Sequence, residues 1–137
     1  MVVKSHESRT IQNEDDVASV RASVKRIVAL LNFSLVNQTK VVTAASELAR
    51  NTLEHGKGGL AQIELLDEDD KVGIRMVFED HGPGISNVSQ AMEDGFTTGP
   101  GMGLGLGGAK RLMDQFHIES KVNEGTRVSV TKWDPKA

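Results

Sequence analysis

Residues 99–108 read GPGMGLGLGG, six glycines in ten, in a chain of 137 residues that holds 14 glycines altogether. No regular element runs through such a stretch cheaply, because each glycine inside a helix or strand costs roughly 0.5–1 kcal/mol relative to alanine. The run is therefore a boundary, where main chain turns sharply or is approached closely. The residues after it, AKRLMDQF, continue with helical spacing. A glycine-rich turn that feeds a helix aims N–H groups outward, and the helix dipole adds to their attraction for an anion. The same residues also suit a hinge, or a loop lying tightly on a neighbouring strand. Two familiar phosphate motifs are excluded. GxxxxGKS/T is absent, and the alternate glycines do not directly follow a strand, as the dinucleotide fingerprint requires.

The rest of the chain divides around this boundary. Residues 2–12 suit a short leading strand. Val17, Val20, Val24, Ile27, Val28 and Leu31 keep helical spacing from Asp15 to Leu31. A second helix is predicted from a cap at about Asn37 to His55, with Val41, Ala45, Leu48, Ala49 and Thr52 as its buried stripe and HGKGG as its stop. LAQIELL reads as a strand, DEDDK as a turn, and VGIRMVFED as a half-buried strand. HIESKV, NEG and TRVSVTKW read as a closing hairpin. Together these predict one α+β domain over 1–137, a sandwich whose mixed, mostly antiparallel sheet is covered by helices on one face.

Composition narrows the function. A formal net charge of −3 with interspersed signs leaves no basic stripe for nucleic acid. With no cysteine, disulfides, thiolate catalysis and cysteine-bound zinc are excluded. The four histidines show no zinc-like spacing. No window approaches the length of a membrane span, so the expectation is a cytoplasmic protein without membrane or nucleic-acid partners.

Two further places carry chemistry. Strand parity puts Val72, Ile74, Met76, Phe78 and Asp80 on one face, so Asp80 ends an inward row, and Gly82 and Gly84 in the following HGPGI leave room beside it. A buried carboxylate needs donors. An adenine amine is one, whereas guanine carries a carbonyl at that position. The alternative is that Asp80 accepts N–H groups of its own turn. Glu47 and Asn51 lie four apart on one helix face. An amide oxygen is a hard ligand suited to Mg²⁺ beside phosphates, and a carboxylate one turn away can orient or deprotonate a hydroxyl. The alternative is a solvated face, with Glu47 near Arg50 and Asn51 near His55.

ELARN, EDHGPGI, GMGLGLG and EGT occur in that order, and at this point the chain resembles the GHKL ATP-binding superfamily, which carries the Bergerat fold. SELARN, MEDGF, GLGLGGAKRLMDQF and EGTRVSVTKW extend the likeness to RsbT-type serine kinases over nearly the whole chain. The resemblance implies ATP and Mg²⁺ as cofactors. It implies Glu47 as base or orienter for a substrate serine, Asn51 as the Mg²⁺ ligand, and Asp80 as acceptor for adenine beside Gly82 and Gly84. Gly101, Gly103 and Gly105 would meet phosphates, and Thr126 would help hold adenine. Ser86 to Pro100 would form a lid. Related anti-sigma kinases often carry a basic residue where this chain has Gly99–Pro100. The implied function is phosphorylation of a serine on a STAS-domain antagonist in a partner-switching stress module, followed by release to activate a PP2C-type phosphatase. The alternative is an anti-sigma factor that sequesters a sigma factor.

Overall fold

The computed structural model describes residues 1–92 and 105–136. The elements are β1 (Val2–Ile11), α1 (Glu14–Leu30), α2 (Leu35–Glu54), β2 (Gly59–Asp67), β3 (Lys71–Asp80), α3 (Val88–Ala91), α4 (Gly105–Leu112), β4 (Gln115–Lys121) and β5 (Gly125–Pro135). The strands form one five-stranded sheet in the order β1-β2-β3-β5-β4. Every pairing in it is antiparallel, so the mixed character expected from sequence is absent among the described strands. β2–β3 and β4–β5 are consecutive hairpins, whereas β1 reaches β2 through α1 and α2, and β3 reaches β5 through the α3–α4–β4 segment.

The helices lie on one face. α1 buries Val17, Val20, Val24, Ile27 and Val28, and α2 buries Val41, Ala45, Leu48, Ala49 and Thr52, as their periodicity predicts. These stripes meet Ile63, Ile74, Met76, Phe78, Val128 and Val130 of the central strands in a single apolar cluster. α4 packs against α2. Its Gly107 and Gly108 are buried, which places part of the glycine run in helix contact rather than in a loop.

Two boundaries differ from the sequence expectation. α2 is capped by Ser34, whose Oγ accepts from Asn37 N at 3.2 Å, and not by Asn37. α4 stops at Leu112, and Gln115 and Phe116 belong to β4. The cause is Asp114. Its N–H donates to Thr131 O at 2.9 Å, and its carboxylate accepts from Trp133 N at 2.8 Å and Lys132 Nζ at 3.1 Å. These ties draw the chain into the sheet before another helical turn forms.

Candidate functional site

Asp80 is the last residue of β3, 4% exposed. It stands opposite Gly59 of β2 and Thr126 of β5. Its Oδ1 accepts the Gly82 N–H at 2.9 Å, so part of the turn-capping alternative is real. Its Oδ2 accepts from no described residue.

Close main-chain approach surrounds this acid. A Cβ at Gly56 would collide with the Asp80 carboxyl carbon, and one at Gly82 would lie 2.7 Å from the Gly56 carbonyl oxygen. Gly84 turns with φ +75, and a Cβ there would strike the Lys121 carbonyl. Gly125 has φ +120, and a Cβ there would strike the Asp80 carbonyl oxygen. Only glycine meets both demands at residue 125 without strain. The space beside Asp80 is therefore built from bare backbone on three sides.

Thr126 is 3% exposed. Its hydroxyl lies 2.8 Å from Ser120 Oγ, and Ser120 stands opposite Thr126 in the β4–β5 ladder. Ser120 Oγ also accepts from Ile85 N at 2.8 Å and donates to Gly125 O at 3.1 Å. Asp80, Thr126 and Ser120 thus form a row across three strands at one end of the sheet. A cleft of about 230 Å³ is lined by all three, together with His81 and Gly125.

The C-terminal end of α2 adjoins this row. The Asn51 carbonyl accepts the N–H groups of His55 at 2.9 Å and Gly56 at 3.2 Å, and Gly56 lies on Asp80. His55 Nε2 is 3.1 Å from Gly84 O, fastening the helix end to the turn after β3. The half-buried Asn51 side chain belongs to the turn that ends on the acid.

Glu47 lies one turn earlier and is also half-buried. It lines a groove of about 550 Å³ between α1 and α2, with Glu14, Arg21, Lys25, Ser46 and Arg50. Arg50 pairs with Glu14 at 3.6 Å rather than with Glu47. Arg21 and Lys25 make no ion pair among the described residues. The structure therefore joins Asp80 to Thr126 and sets the Asn51 turn beside them, with Glu47 one turn earlier on the same helix. Gly105 begins α4 with φ +70. Gly101, Gly103 and the 93–100 part of the expected lid lie outside the described residues.

Sequence reasoning missed three contributors. Gly56 was read only as part of a helix stop, Gly125 only as part of the NEG turn and EGT, and Ser120 only as part of a strand. The signal for Ser120 was present, since it shares strand parity with the core-facing Phe116 and Ile118.

Among the described residues, no three His, Cys, Asp or Glu side chains converge to hold a metal. The Asn51 amide oxygen is a hard donor of the kind Mg²⁺ takes beside phosphate oxygens and water. No described helix is long and apolar enough to cross a membrane.

The family model described as the histidine kinase-like ATPase domain matches residues 11–132. The chain is 41% identical over 123 residues to the serine/threonine-protein kinase RsbT of Bacillus subtilis (strain 168), covering 90% of this chain and 92% of that one. It is 36% identical over 128 residues to an anti-sigma F factor of Anoxybacillus flavithermus (strain DSM 21510 / WK1), covering 88% and 84%. A crystal structure of RsbU and RsbW domains from Mycobacterium tuberculosis superposes with a TM-score of 0.66 at 19% identity, covering 98% of this chain and 34% of that one. That last likeness is one of fold, and the chain spans about a third of the larger protein.

Proposed function

The chain belongs to the histidine kinase-like ATPase domain family, as an RsbT-type member of the GHKL superfamily, and from that premise we propose that it transfers the γ-phosphoryl group of ATP to a serine of a STAS-domain antagonist protein. Asp80 Oδ2 and Thr126 receive the adenine end. Asn51 holds Mg²⁺, which when bound neutralises phosphate charge. Gly101, Gly103 and Gly105 would meet the phosphates through main-chain N–H groups, and Gly105 opens α4, where the helix dipole favours negative charge. Gly82 and Gly84 keep the turn beside the acid closed on main chain.

Phosphoryl transfer asks for position and charge neutralisation more than covalent help. The substrate serine oxygen attacks the γ-phosphorus, its proton passes to the Glu47 carboxylate, and ADP departs. The observation that carries this reading is the placement of Glu47. Glu47 lines the groove between α1 and α2, one turn before Asn51 on a helix that ends on the acid that would hold the base. Arg21 and Lys25 on the rim favour an acidic or polar approaching segment. After transfer, the partner leaves and the kinase is free to engage a PP2C-type phosphatase, in a cytoplasmic module supplied with ATP.

The 36% identity to an anti-sigma F factor favours a second reading, in which the same surface sequesters a sigma factor. Affinity capture separates them: a STAS-domain protein with a phosphatase supports the switch kinase, and a sigma factor supports sequestration. The direct test is Glu47→Ala. Phosphate transfer from labelled ATP to the captured STAS protein should fall at least roughly 100-fold, as loss of a positioned acid–base group does. ATP affinity should stay within about threefold, since the base and Mg²⁺ are assigned to Asp80, Thr126 and Asn51 and Glu47 acts only on the attacking hydroxyl. Transfer at the parental rate would remove Glu47 from the reaction.

A further inference from the structure

The hydrogen-bond count at Ser120 determines what Thr126 can offer a ligand. A serine hydroxyl has one proton and two acceptor positions. Ser120 Oγ makes three contacts: Ile85 N at 2.8 Å, Gly125 O at 3.1 Å and Thr126 Oγ1 at 2.8 Å. Ile85 N–H can only donate, so it occupies one acceptor position. Gly125 O can only accept, so it takes the Ser120 proton. The Thr126 contact must then use the remaining acceptor position, with Thr126 donating. The Thr126 proton is spent on Ser120, and its oxygen presents only lone pairs to the cleft.

Asp80 sits beside it in register and also presents an accepting oxygen. Asp80 and Thr126 thus present two acceptors side by side. A purine amine, or a water that donates, fits such a surface. A purine carbonyl meets lone pair against lone pair.

We propose that Ser120 is a positioning residue for base selection: by taking the Thr126 proton it holds Thr126 as an acceptor and sharpens the preference for adenine over guanine nucleotides. It touches no substrate atom itself. The proposal rests on the reading of Asp80 as the acceptor for the base.

The test uses the full chain with Mg²⁺ and compares ATP with GTP by calorimetric titration. In Ser120→Ala the Thr126 hydroxyl is free to rotate and donate to a guanine carbonyl. The ratio of GTP to ATP dissociation constants should therefore fall roughly tenfold, the scale of one mismatched buried hydrogen bond. Ser120→Thr keeps the hydroxyl and should restore the ratio to within about threefold of the parent. Should Ser120→Ala fail to fold, Ser120→Cys, a much weaker acceptor, provides the same comparison. A role limited to bracing Ile85 would weaken both nucleotides together and leave the ratio unmoved, which overturns the proposal. On a Thr126→Val background, Ser120→Ala should no longer change the ratio, and a persisting change also overturns it. Asp80→Asn separates the two layers. If it collapses the ratio while Ser120→Ala does not, the Ser120 role alone fails. If neither moves it, the adenine assignment of Asp80 fails.

Discussion

The two oxygens of Asp80 stand in different surroundings, and that difference gives the site its polarity. Oδ1 is held by the Gly82 N–H at 2.9 Å, and Oδ2 accepts from no described residue. In Asp80→Asn, the remaining oxygen would stay on the Gly82 N–H, and the new NH₂ would point where an adenine amine donates. Donor would face donor. ATP binding should weaken by about 1–3 kcal/mol, or roughly 5- to 150-fold in Kd, with Gly82 still held. Isothermal titration showing unchanged affinity would remove Asp80 from the base site. This residue was legible in the sequence because strand parity runs unbroken from Val72 to Asp80 and needs no tertiary information. Gly125 and Ser120 were not, because their demands come from elsewhere: the Asp80 carbonyl forbids a side chain at 125, and the Ile85 N–H reaches Ser120 across 35 residues.

At the scale of elements, those with apolar periodicity were read almost to the residue, and those fixed by polar ties were displaced. α1, β2 and β3 follow their patterns. α2 begins earlier than expected because Ser34 is positioned by Asp134, whose Oδ2 accepts the Ser34 N–H at 2.6 Å, and because Leu35, 80% exposed, hides the first turn from a burial pattern. β1 is the weakest signal, an edge strand exposed along most of its length that depends on its ladder with β2 and on Glu7. Glu7 reaches Arg26 of α1 at 2.9 Å and Arg9 at 3.0 Å. A hydrogen bond from Ser23, then those arginines, hold its carboxyl below the usual 4.5, against the opposing effect of burial. A depressed folded value means the stabilisation is present above the unfolded value and is lost as pH falls through the folded one. Glu7→Gln should therefore lower stability at pH 7 by roughly 0.5–1 kcal/mol, the scale of a partly exposed tie. The gap between variant and parent should close as the pH drops below about 4. Urea unfolding midpoints at both pH values would check this, and a gap that widened in acid would contradict it.

Across the whole molecule, the site is assembled from parts that lie far apart in the chain. Asp80 ends β3, Gly56 follows α2, Thr126 is the second residue of β5, and Ser120 belongs to β4. No fragment holds them together without the sheet, so a ligand seated there binds the folded chain and not the unfolded one. Such a ligand adds about 2.7 kcal/mol of stability at a concentration 100 times its Kd. In a domain of this size that corresponds to a rise in Tm on the order of 5–10 °C. Mg²⁺ with ATP at that concentration should produce the rise, Mg²⁺ alone should not, and GTP at the same concentration should give about half of it or less, because its weaker binding enters through the logarithm. The comparison reads the paired acceptors Asp80 and Thr126 through the stability of every element at once. Equal shifts from ATP and GTP would mean that the base lies away from Asp80, even if phosphate contacts at the start of α4 were intact. A shift from ATP that survived Asp80→Asn in full would point the same way.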